Sequence, residues 1–128
     1  MAKKFFYRGK EIDELKRMPL DQFVILMNSH ARRSFKRMGI QFRTFLEKMR
    51  KAKAKGKTMK THFRQMMILP EMVGMHFKVY NGKEWADLVP TPEMLGRRLG
   101  EFSHTCKLVK HSGPGIGATR GSKSVELK

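Results

Sequence analysis

Met75-His-Phe-Lys-Val-Tyr-Asn-Gly-Lys-Glu-Trp-Ala-Asp-Leu88 decides the fold of this chain, because strand alternation and a turn signal occur together in it. Met75, Phe77 and Val79 alternate with residues that are polar or carry a polar end, which is typical of a strand with one buried face. Asn81-Gly82 is the strongest short hairpin signal, since a two-residue type I′ turn needs positive φ at both positions. We therefore predict a β-hairpin over this stretch.

A two-residue turn also fixes which residues of the two strands lie opposite each other. The cross-strand pairs predicted in this way are Tyr80–Lys83, Lys78–Trp85, Phe77–Ala86, His76–Asp87 and Met75–Leu88. The apolar pairs fall on one face of the hairpin, so the register is self-consistent. Because a lone hairpin is marginal in water, we expect a third strand, for which residues 58–63 are the candidate.

Before the hairpin, apolar residues recur at helical spacing. Pro19 suits the first turn of a helix and Gly39 its end, so the sequence predicts one helix between them. Its apolar stripe consists of Leu20, Val24, Met27, Ala31, Phe35 and Met38. At about 100° per residue, four bases centre on the opposite side, namely Arg32, Arg33, Lys36 and Arg37. The apolar face can therefore pack while these bases face outward together.

A second helix is predicted from near Gln41 to Gly56. Its inner face is marked by Phe42, Phe45, Leu46 and Met49, and its C-terminal half carries Lys48, Arg50, Lys51, Lys53 and Lys55. Cations complement the dipole at a helix C-terminus, but that effect does not require five of them.

After the hairpin, Thr91-Pro92-Glu93 predicts the start of a short helix through about Leu99. The residues expected to face inward there are Leu95, Leu99 and Phe102.

These elements predict an α+β fold with N-terminal helices, a small sheet that contains the hairpin, a short helix at 92–99 and a flexible basic tail. The 128 residues are enough for one domain. We divide this domain, 1–128, into a basic helical part at 1–56, a core at 57–106 and an extended tail at 107–128. The tail cannot bury enough apolar surface to become ordered alone.

The chain is strongly basic, with 28 Lys plus Arg against 11 Asp plus Glu and a formal net charge of +17. Residues 32–60 hold twelve of these bases and one acid, Glu47. So much like charge repels itself, and a polyanionic partner would relieve that repulsion. Bases occur in every segment, and no helix-turn-helix, zinc finger or basic zipper is found, which favours a folded RNA. A histone-like architectural protein that binds DNA remains the alternative.

Other classes of function find little support in the sequence. The sequence contains no run of about 18 apolar residues, the length needed to cross a bilayer. The basic start of the chain is not followed by the apolar stretch that a signal peptide has. Cys106 is the single cysteine, which fits a reducing cytosol. The histidines show no metal-ligand spacing, and neither a nucleophile motif nor paired carboxylates occur. We therefore expect no enzyme activity, no cofactor, no metal and no membrane partner.

Several segments resemble those of a known family. They are Lys60-Thr-His-Phe-Arg64, Ile68-Leu-Pro-Glu-Met-Val-Gly74, Val79-Tyr-Asn-Gly-Lys83 and Met94-Leu-Gly-Arg-Arg-Leu-Gly-Glu-Phe102. The Leu-Gly-x-x-Leu-Gly-Glu-Phe run after an Asn-Gly-Lys turn is highly specific for the nineteenth protein family of the small ribosomal subunit. The segments 32–37, 46–55 and 111–119 are similar to the archaeal and eukaryotic branch of that family. The resemblance thus spans most of the chain.

The resemblance implies a cytoplasmic, structural constituent of the small ribosomal subunit that supports assembly. Its partners would be small-subunit ribosomal RNA in the head, neighbouring head proteins including that of the thirteenth family, and transfer RNA near a tail that reaches towards the decoding region. The resemblance places Lys60, His62, Arg64, Asn81, Lys83, Arg97 and Arg98 near RNA. The further bases expected to contact RNA are Arg32, Arg33, Lys36, Arg37, Arg43, Lys51, Lys53, Lys55, Lys57, Lys78, Lys107, Lys110 and Arg120.

Overall fold

Four α-helices open the chain. In the computed structural model, which describes residues 4–110, they are α1 (Ile12–Arg17), α2 (Leu20–Leu26), α3 (Ser29–Arg37) and α4 (Gly39–Ala54). Three strands follow, β1 (Met59–Thr61), β2 (Phe77–Tyr80) and β3 (Trp85–Leu88), with 3₁₀ turns at Pro70–Met72, Pro92–Met94 and Leu99–Phe102. The predicted α+β fold is therefore confirmed. The tail expected to be flexible lies, from residue 111 on, outside the described residues.

The single helix predicted over 19–39 is wrong, because the chain breaks it into α2 and α3. Met27 and Asn28 have extended backbone, with ψ angles of 161° and 150°. The guanidinium of Arg32 donates hydrogen bonds to the carbonyls of Ile25 (2.9 Å) and Met27 (3.2 Å). The last carbonyls of a helix have no partner within it, so Arg32 stabilises the break by binding them.

The apolar faces of the helices pack as predicted despite the break. Val24, Met27, Ala31, Phe45, Leu46 and Met49 are buried, and Leu20, Phe35, Met38 and Phe42 are half-buried. The second predicted helix is confirmed as α4, which begins two residues early, at Gly39. Gly56, with a φ of 61°, ends it, and the amide of Lys57 donates to the carbonyl of Ala52 at 3.1 Å. This is the helix closure in which glycine is favoured, because it needs left-handed backbone.

The three strands form one sheet in the order β1-β2-β3. β1 pairs with β2 in parallel, and β2 pairs with β3 antiparallel. The third strand predicted over 58–63 is thereby confirmed, in a shorter form. One face of the sheet buries Phe77, Val79 and Leu88, as the alternation predicts. Since side chains alternate along a strand, Lys78 and Tyr80 belong to the opposite face.

The hairpin register differs from the prediction by two residues. The observed pairs are Phe77–Leu88, Lys78–Asp87, Val79–Ala86 and Tyr80–Trp85. The predicted two-residue turn is wrong: residues 81–84 form the connection, and Gly82 alone among them has positive φ, at 106°. The side-chain oxygen of Asn81 accepts the amides of Lys83 (2.9 Å) and Glu84 (2.7 Å), which makes this an Asx-type turn. An even offset leaves every residue on its predicted face.

The helix predicted over 92–99 is also wrong, because it ends after one 3₁₀ turn. Leu95 leaves the turn with a ψ of 135°, and Gly96 has a φ of 76°. The amide of Gly96 donates to the carbonyl of Ile68 (3.0 Å), and the amide of Ile68 to the carbonyl of Arg97 (2.8 Å). These long-range backbone bonds replace those of a further helical turn. Of the residues predicted to face inward, Leu95 and Leu99 are buried and Phe102 is half-buried.

The hydrophobic core connects the helices to the sheet and to the last 3₁₀ turn, since it extends from Leu15 in α1 to Leu99. Seven of the eleven methionines are buried in it, namely Met27, Met49, Met59, Met66, Met67, Met72 and Met75. Flexible thioether side chains suit the irregular spaces between such short elements. Across residues 4–110, no helix is both long and apolar enough to cross a membrane.

Candidate nucleic-acid interface

Three of the four bases predicted to face outward from α3 do so. Arg33, Lys36 and Arg37 are exposed, whereas Ala31 on the other side of the helix is buried. Arg32 is half-buried, because its guanidinium turns back to the end of α2. The expectation that all four bases project together is therefore corrected, and Arg32 serves the helix break.

The turn between α3 and α4 brings bases from both helices together. Gly39 has a φ of 53°, a backbone conformation that glycine adopts without strain. Phe35 packs edge-on against Phe42 across the turn, with ring centroids 4.2 Å apart. Lys36 and Arg43 line the same groove of about 560 Å³, together with these two rings. Two cations from different helices can thus reach one anionic strand.

Further exposed bases continue along α4 and beyond its end. We refer to Arg33, Lys36, Arg37, Arg43, Lys48, Lys51, Lys55 and Lys57, all of them exposed, as the basic arm. Among the described residues 4–110, none of these bases takes part in an ion pair. Glu47 is the single acid between residues 29 and 57. The basic arm therefore presents its positive charge to solvent.

Two other bases of α4 bind within the protein. Arg50 donates to both carboxylate oxygens of Glu71, at 3.0 and 3.2 Å, and Lys53 donates to the Glu71 carbonyl at 2.9 Å. The hydrogen bond and the negative charge of Glu71 raise the pKa of the Arg50 guanidinium. These contacts attach α4 to the 3₁₀ turn at Pro70–Met72. The ammonium of Lys53, a predicted RNA contact, thus already has a partner inside the fold.

On the sheet, the face away from the core carries a row of charged residues. Lys60 of β1 pairs with Lys78 of β2, and Lys78 pairs with Asp87 of β3. The ammonium of Lys78 lies 3.5 Å from the Asp87 carboxylate. This ion pair partly neutralises Lys78, a predicted RNA contact, and leaves Lys60 as the cation of the row without an acidic partner among the described residues.

A second row on the same face is aromatic. Tyr80 pairs with Trp85, and His62 follows β1 beside them. The ring centroids lie 4.7 Å apart for His62 and Tyr80, 5.2 Å for Tyr80 and Trp85, and 4.9 Å for His62 and Trp85. The ammonium of Lys60 lies 5.7 Å from the centroid of the Trp85 ring. We refer to His62, Tyr80 and Trp85 as the aromatic platform.

Sequence reasoning identifies His62 as a site residue but misses Tyr80 and Trp85. Both stand at alternate, solvent-facing positions of the hairpin, so the signal is present in the sequence. The predicted two-residue turn places Trp85 opposite Lys78 rather than opposite Tyr80, and the aromatic row is then lost. The observed register restores it.

Arg64 is half-buried and its guanidinium donates within the protein. One terminal nitrogen donates to the carbonyl of Tyr80 (2.8 Å) and the hydroxyl of Ser103 (3.0 Å). The other donates to the carbonyls of Gly100 (3.0 Å) and Ser103 (2.6 Å). Arg64 therefore joins β2 to the last 3₁₀ turn, and its predicted contact with RNA stays a prediction.

Arg97 and Arg98 also have partners within the protein. Arg97 lies 3.4 Å from the carboxylate of Glu101, and Arg98 donates to the hydroxyl of Ser34 in α3 at 3.1 Å. Both arginines line a groove of about 460 Å³ that Glu93 and Glu101 line as well. This groove thus has two acids in its lining, whereas the groove between α3 and α4 has one, Asp21.

The remaining predicted contacts lie in the hairpin turn and near the end of the described chain. Lys83, Lys107 and Lys110 are exposed, and Asn81 is half-buried and holds the turn. Arg120 lies outside the described residues. Within residues 4–110, no group of three or more His, Cys, Asp or Glu residues is placed to hold a metal ion.

Comparison with known proteins gives a consistent result. Residues 33–111 match the family described as Ribosomal protein S19. The chain is 50% identical to the small ribosomal subunit protein uS19 of Saccharolobus solfataricus and 45% identical to that of Metallosphaera sedula, in each case over 98% of this chain and 93% of the relative. It is 48% identical to the uS19 protein of Methanocella arvoryzae, over 97% of this chain and 87% of the relative.

The family match covers more than half of the chain, and the archaeal relatives align with nearly all of it. The segments 32–37 and 46–55, whose resemblance pointed to the archaeal and eukaryotic branch, lie within that alignment. The family consists of structural components of the ribosome, not enzymes. This chain therefore belongs to the Ribosomal protein S19 family and is a structural constituent of the small ribosomal subunit.

Proposed function

We propose that this chain binds small-subunit ribosomal RNA in the head of the subunit and holds RNA segments together during assembly. The observation that carries the proposal is the basic arm, eight exposed bases on α3, α4 and the segment that follows, with one acid between them. The names of the relatives refer to the small ribosomal subunit, a particle built on RNA. The RNA of that particle is a polyanion, so its charge is opposite to that of the basic arm.

The proposed mechanism is neutralisation of phosphates by a surface of fixed shape. Each Lys or Arg that meets a phosphate releases a condensed counterion, which drives binding and makes it depend on salt. Ala31, Phe45 and Met49 anchor α3 and α4 in the core, so the basic arm keeps its spacing when RNA docks. Lys60 and Lys83 add charge on the sheet and its turn. Contacts on several faces suit a folded RNA better than one groove of a duplex.

The proposal extends to the partners that the family resemblance implies. Neighbouring head proteins, including that of the thirteenth family, would contact this chain in the assembled subunit, which acts in the cytoplasm. The tail at 107–128 would extend towards the decoding region and transfer RNA. Its five bases and single acid support contact with RNA, and Lys107 and Lys110 are exposed at its start. The division into 1–56, 57–106 and 107–128 remains part of this proposal.

A pair of charge-reversal variants tests the basic arm. Arg33→Glu with Arg37→Glu removes two bases from it, whereas Lys16→Glu with Arg17→Glu makes the same change of net charge on exposed residues of α1. Affinity for a small-subunit head RNA fragment is measured between low and moderate salt. Loss of two phosphate contacts reduces the slope of log affinity against log salt by roughly 1.4–1.8, since each contact contributes about 0.7–0.9.

The expected result is a lower affinity and a shallower slope for the arm variant, with the α1 variant close to the original protein. Equal losses in both variants would mean that net charge alone drives binding, and the proposed surface would be wrong. Tighter binding to duplex DNA than to the RNA fragment at the same salt would favour the architectural DNA-binding alternative instead.

A further inference from the structure

We infer that the aromatic platform is a stacking site for an unpaired base of RNA, an inference that rests on the RNA binding proposed above. His62, Tyr80 and Trp85 come from the three neighbouring strands of the sheet or their ends, and each ring lies within 5.2 Å of the other two. These three rings lie together on the solvent-facing side of the sheet. Packing in the hydrophobic core, which uses the other side, does not explain them.

The platform lies on the side of the sheet that the core does not use. Phe77, Val79 and Leu88 are buried on the opposite face of the sheet. The aromatic residues alternate with them along the strands. Trp85 keeps 36% of its surface exposed, and His62 is exposed as well. A large indole left at the surface among other rings marks an interaction site more often than an isolated exposed residue does.

The chemistry of this surface favours a nucleobase. Aromatic rings accept any base by stacking, which is how single-stranded nucleic acids bind to sheets and grooves without a strict sequence requirement. Lys60 stands over the Trp85 ring at 5.7 Å, and Lys83 is exposed in the adjoining turn. A base that stacks on Trp85 would move the flexible Lys60 side chain towards the neighbouring phosphate.

The acids near the platform do not cancel these cations. Asp87 forms its ion pair with Lys78, and within residues 4–110 the carboxylate of Glu84 forms no ion pair with Lys60 or Lys83. Lys60 and Lys83 therefore remain available to phosphates. A protein partner that covered the platform with aliphatic side chains would gain nothing from these two cations, whereas an RNA strand has a ring and a phosphate in every nucleotide.

Trp85 is the one tryptophan of the chain, so its fluorescence reports on the platform alone. The full chain is titrated with an unstructured RNA oligonucleotide and, separately, with an abasic oligonucleotide of the same length and charge. Binding is followed independently by the anisotropy of a label on each oligonucleotide. We expect the RNA to quench the tryptophan emission and the abasic strand to bind without comparable quenching.

Variants give a second readout. Trp85→Ala should weaken RNA binding by about fivefold to 150-fold, the range for loss of one base–aromatic stack, while Trp85→Phe should retain most of the affinity. The matched control is Phe6→Ala, which removes an aromatic residue that is 53% exposed and lies outside the platform. Circular dichroism and thermal unfolding establish that each variant folds.

The outcomes separate this inference from the function on which it rests. If neither this RNA nor the head RNA fragment binds, the proposed function is wrong, and if only the head fragment binds, the stacking site is wrong. If the RNA binds but equal quenching occurs with the abasic strand, or folded Trp85→Ala binds RNA as tightly as the Phe6→Ala control, the stacking site is wrong and RNA binding stands. Unchanged RNA affinity together with loss of a neighbouring subunit protein from the Trp85→Ala variant would assign the platform to a protein contact and overturn the inference.

Discussion

Arg64 shows how a single charged residue can be assigned to the fold rather than to a ligand. Its guanidinium donates to backbone carbonyls of Tyr80, Gly100 and Ser103, which lie 16, 36 and 39 residues along the chain. Backbone carbonyls are present at every residue, so no sequence pattern marks these partners. For Arg33, by contrast, charge and helical position together predict the exposure that the structure has.

Replacing Arg64 by alanine tests this assignment. Arg64→Ala should lower the free energy of unfolding by about 2–4 kcal/mol, because hydrogen bonds to a charged group contribute about 1.5–3 kcal/mol each and the loss is not additive. Urea unfolding measures the change. Arg37→Ala is the control, since an exposed side chain that forms no hydrogen bond or ion pair within residues 4–110 should change stability by less than about 0.5 kcal/mol. A stable Arg64→Ala variant with weakened RNA binding would show that the guanidinium reaches RNA instead.

Gly96 is a position where a single methyl group should matter. Its φ is 76°, and a Cβ there would lie 2.6 Å from the hydroxyl of Tyr7. Gly96→Ala should therefore lower the free energy of unfolding by more than about 1–2 kcal/mol, which is the penalty for the left-handed backbone alone. Tyr7→Phe removes the clashing oxygen and should recover about 1 kcal/mol of that loss in a double-mutant cycle. Additive effects of the two substitutions in thermal unfolding would contradict the close approach.

The hairpin shows which properties of a whole element can be predicted from the sequence and which cannot. Alternation predicts the strands and their buried face, because these depend on periodicity alone, and the marginal stability of a lone hairpin predicts the need for β1. The register depends on the turn, and Asn81 can either enter a two-residue turn or accept two amides with its side chain. The structure has the second arrangement. Similarly, the helix break at Met27–Asn28 depends on Arg32, a partner that periodicity does not reveal.

The turn geometry leads to a test by substitution of Asn81. Asn81→Ala removes the acceptor of two amides and should lower the free energy of unfolding by about 1–2 kcal/mol, in the range for the loss of a comparable side-chain cap. Asn81→Asp keeps the acceptor oxygen and should retain most of the stability. Chemical denaturation of both variants gives the comparison. Equal destabilisation by the two changes would show that the amide nitrogen, not the oxygen, is what the turn requires.

At the scale of the whole molecule, charge should limit the stability of the isolated chain. A net charge of +17 on 128 residues repels itself when compact, and added salt screens that repulsion. We expect the melting temperature to rise between about 10 mM and 200 mM salt, over which the screening length shortens from about 30 Å to less than 10 Å. Differential scanning calorimetry of the free protein measures this rise.

The arm variant supplies the comparison for this effect. Arg33→Glu with Arg37→Glu lowers the net charge by four and should reduce the dependence of the melting temperature on salt. A melting temperature that does not change with salt in either protein would mean that self-repulsion is too weak to matter. The same measurement with stoichiometric RNA should show a larger rise for the original protein than salt alone produces.

The overall function was predictable because charge is a property of the whole chain and the specific motifs lie in contiguous segments. The location of the proposed interface was predictable only in part. The basic arm follows from helical geometry, and its exposure agrees with the prediction. The internal roles of Arg64, Arg50 and Lys53 depend on contacts between distant parts of the chain, and so does the aromatic platform.

The parallel pairing of β1 with β2 has a consequence for the order of events during synthesis. β1 ends at Thr61, but the strand that it pairs with begins only at Phe77, and the hydrogen bond from Arg98 to Ser34 in α3 comes later still. A nascent chain that has emerged only as far as residue 76 thus carries α1 to α4, all of the basic arm and the contacts of Arg50 and Lys53 with Glu71, but not β2, β3 or Arg98. The core residues Phe77, Val79, Leu88, Leu95 and Leu99 are added only when translation delivers the remaining third of the described chain.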